Sequence, residues 1–565
     1  MDVFKLREQL VRDYARYARS FIQIQDDRIN QYVEQCLEQG VFWPDALIQL
    51  NPNFQPGAWI DELVRQGVVH QECAAIFRKG KADGDDRPMR LYQHQLDAIL
   101  TARQGHNYVL TTGTGSGKSL AYIVPIVDYV LKHGSRQGVK AIVVYPMNAL
   151  ANSQYLELEK FLRHGYPAGQ EPVTFEKYTG QESDEIRNQI IAHPPDIILT
   201  NYVMLELMLT RPAERALIET AKGLRFLVLD ELHTYRGRQG ADVALLVRRT
   251  RDLLEAPDLQ CVGTSATLAG PGSLAEQQAE VADLASVLFG APVSSDHVIG
   301  ETLRRATPTA QLGDPQFLTA LRARVEDPAW HPPTSYEAFI TDPLAAWIES
   351  TFGVRPEAGG PRLVRATPRS ITGPNGAAAD LSLQTGLPLD RCVEAIQETL
   401  LAGYQCQNPE TGFPVFAFRL HQFVSPGDTA YASIDSASTR YVTLNGQQFV
   451  PGDRNRVLLP LAFCRECGQE YYVVRREQDR ENGPSTFTPR ELFDQFDDDE
   501  TRPGFLYVSQ DDPWPSDPDD VTRRVPPGWV EEFQGGFRIR RDQREKLPEL
   551  ITVGPDGRQG QEGTV

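Results

Sequence analysis

Short apolar runs alternate with longer amphipathic stretches between residues 87 and 270. Each run is continuous and rich in β-branched residues, as is typical of parallel strands that are buried on both faces. The five runs predicted as strands are Tyr108–Thr111, Ala141–Tyr145, Ile197–Thr200, Phe226–Leu229 and Cys261–Gly263. Because helical stretches separate them, we predict an α/β domain with a doubly wound parallel sheet over residues 87–270.

The regions before and after this domain have other patterns. Residues 1–86 are predicted to be helical, and the first helix has apolar residues that recur three and four positions apart. These residues are Leu6, Leu10, Tyr14, Tyr17 and Phe21. Residues 271–376 predict a helical connecting region that many prolines interrupt.

Residues 377–424 predict a winged-helix-like module. Two short helices on either side of Gly386 precede a β-hairpin of Tyr404–Gln407 and Val415–Leu420. Two helices and a hairpin are the order of a winged helix, which commonly contacts duplex DNA. The second predicted helix is not basic, however, so DNA binding and a structural or protein-contact role are equal alternatives.

A glycine-rich segment lies between the first predicted strand and the helix that follows it. Its residues are Thr112, Gly113, Thr114, Gly115, Ser116, Gly117, Lys118 and Ser119. The glycines let backbone N–H groups converge on phosphate oxygens, and the helix N-terminus adds partial positive charge. Lys118 is placed to contact the β- and γ-phosphates, and the Ser119 hydroxyl is placed to ligate Mg²⁺. The segment therefore predicts a P-loop that binds ATP and Mg²⁺.

Two carboxylates, Asp230 and Glu231, follow the fourth predicted strand, 112 residues after Lys118. In an open α/β sheet the carboxyl ends of the strands face the ligand crevice. We predict that Asp230 holds the Mg²⁺ ion and that Glu231 orients and deprotonates the attacking water. Lys118, Asp230 and Glu231 are therefore the candidate catalytic residues.

The order of these segments resembles the motifs of DEAD/DEAH-box superfamily 2 helicases. The matching segments are LYQHQ (91–95), GTGSGKS (113–119), PMNALA (146–151), TNYVML (200–205), DELH (230–233) and TSAT (264–267). The finer forms LYxHQ and NYVMLE, with FRLHQF and FCRECGQEYY further along, resemble large bacterial helicases related to mitomycin repair factor A and the Druantia anti-phage helicase. This resemblance implies a RecA-like P-loop domain that works in DNA repair or phage defence.

The resemblance also implies residue roles. Gln95 matches the glutamine that reads adenine. Ser265 and Thr267 are expected to hydrogen-bond the acidic motif and couple hydrolysis to nucleic-acid binding. The residues expected to line a single-strand path are Pro146, Asn148, Ala149, Thr200 and Asn201. Small hydroxyls and backbone amides there would bind phosphates, so contact would not depend on base sequence. The partner implied is single-stranded or partly duplex DNA, with RNA as the alternative.

A second RecA-like domain would supply arginine fingers, and residues 271–565 do not contain its Q-x-x-G-R-x-G-R motif. We therefore expect the chain to stop before that domain, so that it binds ATP but hydrolyses it weakly by itself. A protein that supplies the second domain is an expected partner. The alternative is a truncated or split module that binds nucleotide and DNA without motor activity.

The charge distribution changes this picture little. The 565-residue chain has a formal net charge of −19, but residues 481–532 hold 14 acidic and 4 basic residues and so supply −10 of it. We predict a β-rich segment at 425–480 and an acidic, loop-rich tail at 481–565. A solvated insertion without catalytic role is favoured over a specific acidic function.

Seven scattered cysteines are too few for a disulfide framework and fit a reducing compartment. The N-terminus lacks the apolar core of a signal peptide, and the chain has no apolar run of membrane-spanning length, so we predict a cytoplasmic protein. Cys464 and Cys467 form a half-site that can share Zn²⁺ with two further ligands. Cys406 and His421 are candidates for these, and ligands beyond the chain are the alternative.

Overall fold

The computed structural model describes residues 2–21, 23–81, 84–113, 115–266, 272–309, 311–327, 329–357, 360, 362–425, 427, 429–478, 485–492, 494, 501–508, 514–533 and 536–560. Two compact units make up the chain. The P-loop unit contains Asn51–Ala310 and Glu349–Ala366. The flanking unit contains Met1–Leu50, Gln311–Ile348 and Thr367–Val565. In neither unit is a described helix both long and apolar enough to cross a bilayer.

A seven-stranded parallel sheet forms the centre of the P-loop unit. Its strands are β1 (Tyr108–Thr111), β2 (Ala141–Tyr145), β3 (Phe175–Lys177), β4 (Ile197–Asn201), β5 (Phe226–Leu229), β6 (Gln260–Ser265) and β7 (Val298–Gly300), in the order β7-β1-β6-β5-β2-β4-β3. All five predicted strands are present, which confirms the α/β fold. The two strands that the sequence did not predict, β3 and β7, are three-residue edge strands, too short to give a clear apolar run.

Helices pack on both faces of this sheet. They are α1 (Gln93–Arg103), α2 (Leu120–His133), α3 (Asn148–Leu162), α4 (Asp184–Ala192), α5 (Tyr202–Thr210), α6 (Arg215–Thr220), α7 (Gly237–Leu253) and α8 (Leu274–Phe289). Successive residues of β2 point to opposite faces: Val143 belongs to one buried apolar cluster and Val144 to another. Both clusters are fully buried, so the strands need apolar residues at every position, which explains their continuous apolar runs.

Shorter elements complete the P-loop unit. They are the helices Ile60–Arg65 and Cys73–Ile76, the π-helix Glu349–Gly353, and the strands Asn53–Phe54, Pro56–Trp59, Arg78–Lys79, Arg87–Pro88, Arg90–Tyr92, Leu303–Arg304, Val354–Pro356 and Leu363–Arg365. The buried Glu349 carboxylate accepts hydrogen bonds from the backbone N–H groups of Ala306 (2.7 Å) and Thr307 (2.9 Å). These bonds anchor residues 349–366 to the segment that follows the parallel sheet.

The flanking unit contains a second seven-stranded sheet, which is antiparallel throughout. Its strands are Tyr431–Ser433, Val442–Thr443, Phe449–Val450, Asp453–Phe463, Glu470–Gln478, Ser485–Pro489 and Thr501–Leu506. The last two lie in the acidic stretch that the sequence predicted to be loop, so that prediction is wrong for these residues. Phe487 and Leu506 are buried there, and their apolar surface joins the core although acidic residues dominate the local composition.

Helices of the flanking unit are Val3–Ser20, Asp27–Glu38, Pro315–Glu326, Tyr336–Ile340, Pro343–Ile348, Ala377–Thr385, Leu389–Gln405 and Pro518–Arg524. Its remaining strands are Leu47–Leu50, Arg369–Ser370, Phe418–His421, Val530–Phe533 and Gly536–Ile539. The first helix forms as predicted, but its predicted apolar stripe is largely exposed. Phe4 and Ala15 are the buried residues instead, and Phe4 stacks on Phe418 with ring centroids 5.9 Å apart.

The β-hairpin predicted for the winged-helix-like module, residues 404–420, has a different structure. Residues 404 and 405 end the helix Leu389–Gln405, and Phe418–His421 pairs with Leu47–Leu50 of the N-terminal region. The turn of the predicted hairpin is present, with a bridge between Gln407 and Pro414 and a hydrogen bond from the backbone N–H of Val415 to Cys406 O at 2.8 Å, but its arms do not form two paired strands. A local pattern cannot show this pairing, because the partner strand lies more than 360 residues earlier in the chain.

Candidate active site

The P-loop connects β1 to α2 at the carboxyl edge of the parallel sheet. Gly115 and Gly117 have φ angles of +85° and +68°, a region that side chains rarely allow, so the loop requires glycine at both positions. The buried hydroxyls of Thr112 and Ser116 lie 2.7 Å apart and brace the loop from within. Thr114, also predicted for this site, lies outside the described residues.

The predicted adenine-reading residue, Gln95, is buried against this loop. Its Nε2 donates to the carbonyl of Gly117 at 2.8 Å, and its Oε1 accepts from the backbone N–H of Tyr92 at 2.8 Å. His94 joins it, with Nε2 2.9 Å from the carbonyl of Ser116. Burial lowers the pKa of His94, so a neutral ring donates this bond. Gln95 thus positions the P-loop, and adenine recognition by Gln95 stays a prediction.

The two carboxylates lie at the same edge of the sheet. Asp230 and Glu231 follow β5 directly, and Lys118 Nζ is 3.3 Å from Glu231 Oε1. Glu231 has a left-handed backbone with φ +53°, a strained conformation for a non-glycine residue that is often found at functional sites. Its Oε2 atom is buried and lies 3.3 Å from His233 Nδ1. None of the described residues donates a hydrogen bond to this oxygen. This oxygen is available to a water or ligand.

The contact between the TSAT segment (264–267) and the carboxylates comes from Thr264, which the sequence did not single out. Thr264 donates a hydrogen bond to Asp230 Oδ1 and accepts one from the backbone N–H of Glu231 at 3.1 Å. The predicted residue Ser265 lies 3.4 Å from Nδ1 of His233, the last residue of the DELH segment, and Thr267 is outside the described residues. Since β5 and β6 are neighbours and Leu229 pairs with Gly263, the residues after this pair face one another.

The side chains at this edge suit a magnesium–triphosphate group. Ser119 and Asp230 supply the hard oxygen ligands that Mg²⁺ prefers, and Lys118 supplies a cation for phosphate. In the structure, Ser119 Oγ donates to Gln154 Oε1 of α3 at 2.7 Å. Burial raises the pKa of Asp230, and the hydrogen bond from Thr264 counteracts that shift. Thr264 therefore favours the ionised carboxylate that a metal ion needs.

We expect Thr264→Val to lower ATP hydrolysis roughly tenfold to a hundredfold, because a hydrogen bond to a charged group contributes about 1.5–3 kcal/mol. Without this donor, the pKa of Asp230 rises further, so the acidic limb of the rate–pH profile should move to higher pH. Steady-state hydrolysis rates measured between pH 5 and pH 9 test this. Thr250→Val is the matched control, since Thr250 is equally buried in α7 and donates only to Leu246 O. An unshifted acidic limb would contradict the role of Thr264.

A groove lies where β2 and β4 end. A cavity of about 500 Å³ is lined by residues of the PMNALA and TNYVML segments, among them Pro146, Asn148 and Asn201. Asn201 Nδ2 donates to Asn148 Oδ1 at 2.7 Å, which joins the two segments, and Asn201 Oδ1 caps α5. Two cations, Arg187 and Arg211, also line the groove.

Two residues predicted for the single-strand path do not line this groove. Thr200 is buried and its hydroxyl donates to Tyr178 O at 2.6 Å, so its side chain does not face the groove. The prediction for that side chain is wrong, because alternate residues of a strand point to opposite faces. Ala149 is exposed in the first turn of α3 but does not line the cavity.

Cys464 and Cys467 lie in the tight turn between strands Asp453–Phe463 and Glu470–Gln478. Backbone N–H groups of Cys467 and Glu466 lower the pKa of the Cys464 thiol. Cys406 is a buried free thiol. Within the part of the chain that the structure describes, no group of three or more His, Cys, Asp or Glu residues is placed to hold a metal. The predicted zinc ligands Cys406 and His421 therefore do not complete this half-site.

Residues 92–274 match the family model for the DEAD/DEAH box helicase. This range contains Gln95, the P-loop, both carboxylates and the groove. Residues 92–274 form a DEAD/DEAH box helicase domain. The family consists of superfamily 2 helicases that hydrolyse ATP, in agreement with the resemblance that the motif order indicated.

Two curated relatives match this chain, one of them over more residues than the helicase domain contains. The chain is 26% identical over 422 residues to the Druantia protein DruE of Escherichia coli strain UMEA 4076-1, an alignment that covers 54% of this chain and 22% of that protein. It is 33% identical over 189 residues to the ATP-dependent helicase YprA of Bacillus subtilis strain 168, covering 33% and 24%. The chain thus spans less than a quarter of either relative.

Among solved structures, the chain is similar to the DUF1998 helicase MrfA bound to DNA. The sequence identity is 26%, the TM-score is 0.35, and the match covers 46% of this chain and 30% of that one. It is also similar to the Mycobacterium smegmatis helicase Lhr bound to single-stranded DNA and AMP-PNP, with 28% identity, a TM-score of 0.31, and coverage of 43% and 31%.

Proposed function

We propose that the helicase domain binds ATP with Mg²⁺ at the P-loop and hydrolyses it. The contact between Lys118 and Glu231 carries this proposal. The two residues are 113 positions apart, and the fold brings them together beside the glycine loop, with Glu231 Oε2 left without a hydrogen bond from any described residue. A phosphate-binding cation next to a carboxylate that can accept a proton is the arrangement that nucleotide hydrolysis needs.

Each side chain then has one role. Lys118 would bind the β- and γ-phosphates, and Ser119, which donates to Gln154 in the structure, would be one ligand of Mg²⁺. Asp230 would hold the ion, which would supply positive charge against the phosphates. Glu231 accepts the proton of the attacking water through its free oxygen. Thr264 positions both carboxylates from β6.

We further propose that the groove binds single-stranded nucleic acid. Pro146, Asn148 and Asn201 line it, and Arg187 and Arg211 add positive charge. Contact through amides and cations to phosphates would not depend on base sequence. We favour DNA over RNA because the finer motif forms resemble bacterial helicases of DNA repair and phage defence.

We expect Arg211→Glu to weaken binding of single-stranded DNA about tenfold, since phosphate contacts dominate such affinities. The slope of log affinity against log salt should decrease by roughly one. Fluorescence anisotropy with a labelled oligonucleotide at low and at high salt measures both. Arg103→Glu serves as the control, because Arg103 is exposed near the opposite edge of the sheet. If both variants lost the same DNA affinity, the groove would not be the binding site for single-stranded DNA.

The 565-residue chain is proposed to hydrolyse ATP slowly by itself. Among the described residues, the sheet that precedes the P-loop is parallel and every other sheet is antiparallel, so these residues contain one RecA-like sheet. Superfamily 2 helicases complete their site with arginines of a second RecA-like domain, which can contribute roughly 10³–10⁵ in rate. A partner with such a domain should therefore stimulate this chain. Phosphate release with single-stranded DNA tests the proposal, and turnover of several per second without a partner would contradict it.

A further inference from the structure

A carboxylate from outside the helicase motifs is hydrogen-bonded to the P-loop. Glu301 follows β7, which lies parallel to β1 with Gly300 opposite Thr111. The P-loop begins at the residue after β1, so Glu301 emerges beside it. Glu301 Oε2 accepts a hydrogen bond from the backbone N–H of Gly113 at 3.2 Å. A negative charge thus contacts a loop whose proposed ligand is itself a polyanion.

Arg365 neutralises this carboxylate with a bidentate pair. Its Nε donates to Glu301 Oε1 at 2.7 Å and its Nη2 donates to Oε2 at 2.8 Å. The side chains are 21% and 15% exposed, so water screens the pair only partly. Arg365 ends the strand Leu363–Arg365, which pairs with Val354–Pro356 in the segment that Glu349 anchors. The fold therefore delivers to the P-loop an arginine from a segment far downstream of it.

Gly113 shows how close this arginine is to the loop backbone. A Cβ atom built on Gly113 would lie 2.5 Å from Arg365 Nη2 and 2.6 Å from its Cζ, which is closer than atoms can approach. The guanidinium also lies 5.9 Å from the ring of Phe54, which packs on Tyr92 and His94 beside the P-loop. Arg365 is thus part of the wall of the nucleotide site.

We infer that Arg365 is a positioning residue of the nucleotide site, which sets ATP affinity by neutralising Glu301 next to the P-loop. The inference rests on the proposed ATP binding at the P-loop. Without Arg365, the Glu301 carboxylate would repel the triphosphate, and the repulsion would be weaker for a diphosphate of lower charge. A purely structural pair would instead hold residues 349–366 in place and have no preference between ATP and ADP.

Affinities of the full chain for ATP and ADP with Mg²⁺, measured by titration calorimetry, distinguish these roles. Arg365→Ala is expected to weaken ATP binding about tenfold, as for a unit charge several ångströms away in a partly screened site, and ADP binding less. Glu301→Gln should bind ATP at least as well as the unmodified chain. The double variant E301Q/R365A should recover to within about threefold of it, because no uncompensated charge remains. Raising the salt concentration should shrink the Arg365→Ala effect.

Matched variants separate the charge of Arg365 from its shape and from the stability of the fold. Arg355→Ala removes an exposed arginine from the partner strand and should leave both affinities unchanged. Arg365→Lys keeps the charge without the bidentate fork and should stay within about threefold of the original ATP affinity. Thermal melting of each variant shows whether it is folded. If Arg365→Ala is unfolded, ATP affinity is compared between Arg365→Lys, which keeps the charge, and E301Q/R365A, which removes both charges.

Three outcomes would overturn the inference: an Arg365→Ala chain that binds ATP normally, a folded double variant as weak as Arg365→Ala, or equal losses for ATP and ADP. Failure of the proposed function has a different signature. In that case Lys118→Ala would bind ATP like the unmodified chain, whatever the Arg365 variants do.

Discussion

Lys118→Ala is expected to lose ATP binding by about 100-fold or more, because each charge-assisted hydrogen bond to a phosphate contributes about 1.5–3 kcal/mol. Lys118 is mostly buried and lies beside Glu231, so an alanine leaves that carboxylate without its cation. Repulsion between Glu231 and the triphosphate adds to the loss. Titration calorimetry with ATP and Mg²⁺ measures it, and hydrolysis should fall to background.

The matched control is Lys132→Ala. Lys132 lies in the last turn of α2, the helix that starts two residues after Lys118, and pairs with Asp128 at 2.7 Å. This substitution removes a lysine side chain far from the P-loop. Because an exposed ion pair contributes little, ATP affinity should stay within about twofold of that of the unmodified chain. Unchanged ATP affinity in a folded Lys118→Ala chain would remove the basis for a nucleotide site at the P-loop.

Glu231→Gln should separate binding from hydrolysis. The amide keeps the size of the side chain but cannot accept the proton of the attacking water, and loss of a general base costs roughly 10²–10⁴ in rate. ATP affinity should stay equal or increase, since the neutral amide no longer repels the phosphates. Single-turnover hydrolysis and calorimetry on the same preparation measure the two effects.

Glu255→Gln is the control for backbone strain. Glu255 also has a positive φ, +48°, but it is exposed and pairs with Lys222. Both substitutions place glutamine in a left-handed conformation, so a shared loss of stability would appear in both melting curves. If Glu231→Gln hydrolysed ATP at the original rate, another residue would have to be the base.

Three findings show what local sequence patterns cannot predict. The hydroxyl that donates to Asp230 belongs to Thr264, which the sequence did not single out, because pairing of β5 with β6 decides which side chain faces the carboxylate. The first helix was predicted correctly, but the face that is buried is not the predicted apolar stripe. Phe4 lies on the buried face and stacks on Phe418. The acidic stretch contributes two strands because Phe487 and Leu506 join a sheet made by earlier residues.

The sequence by itself determined the parallel sheet and the position of the P-loop after its first strand. A strand buried on both faces must be apolar at every position, and a loop that curls around phosphate must have glycines, so both leave local signals. The placement of Lys118 beside Glu231 at one edge of the sheet was predictable as well, because both residues follow parallel strands closely.

Only the tertiary structure decided which distant residues complete the site. Glu301, Arg365 and Gln154 lie at the P-loop although no local pattern distinguishes them from other charged or polar residues. Their positions depend on strand order, on the register of β7 against β1, and on the return of residues 349–366 to the sheet. These are contacts between segments far apart in the chain, and packing free energy rather than local preference selects them.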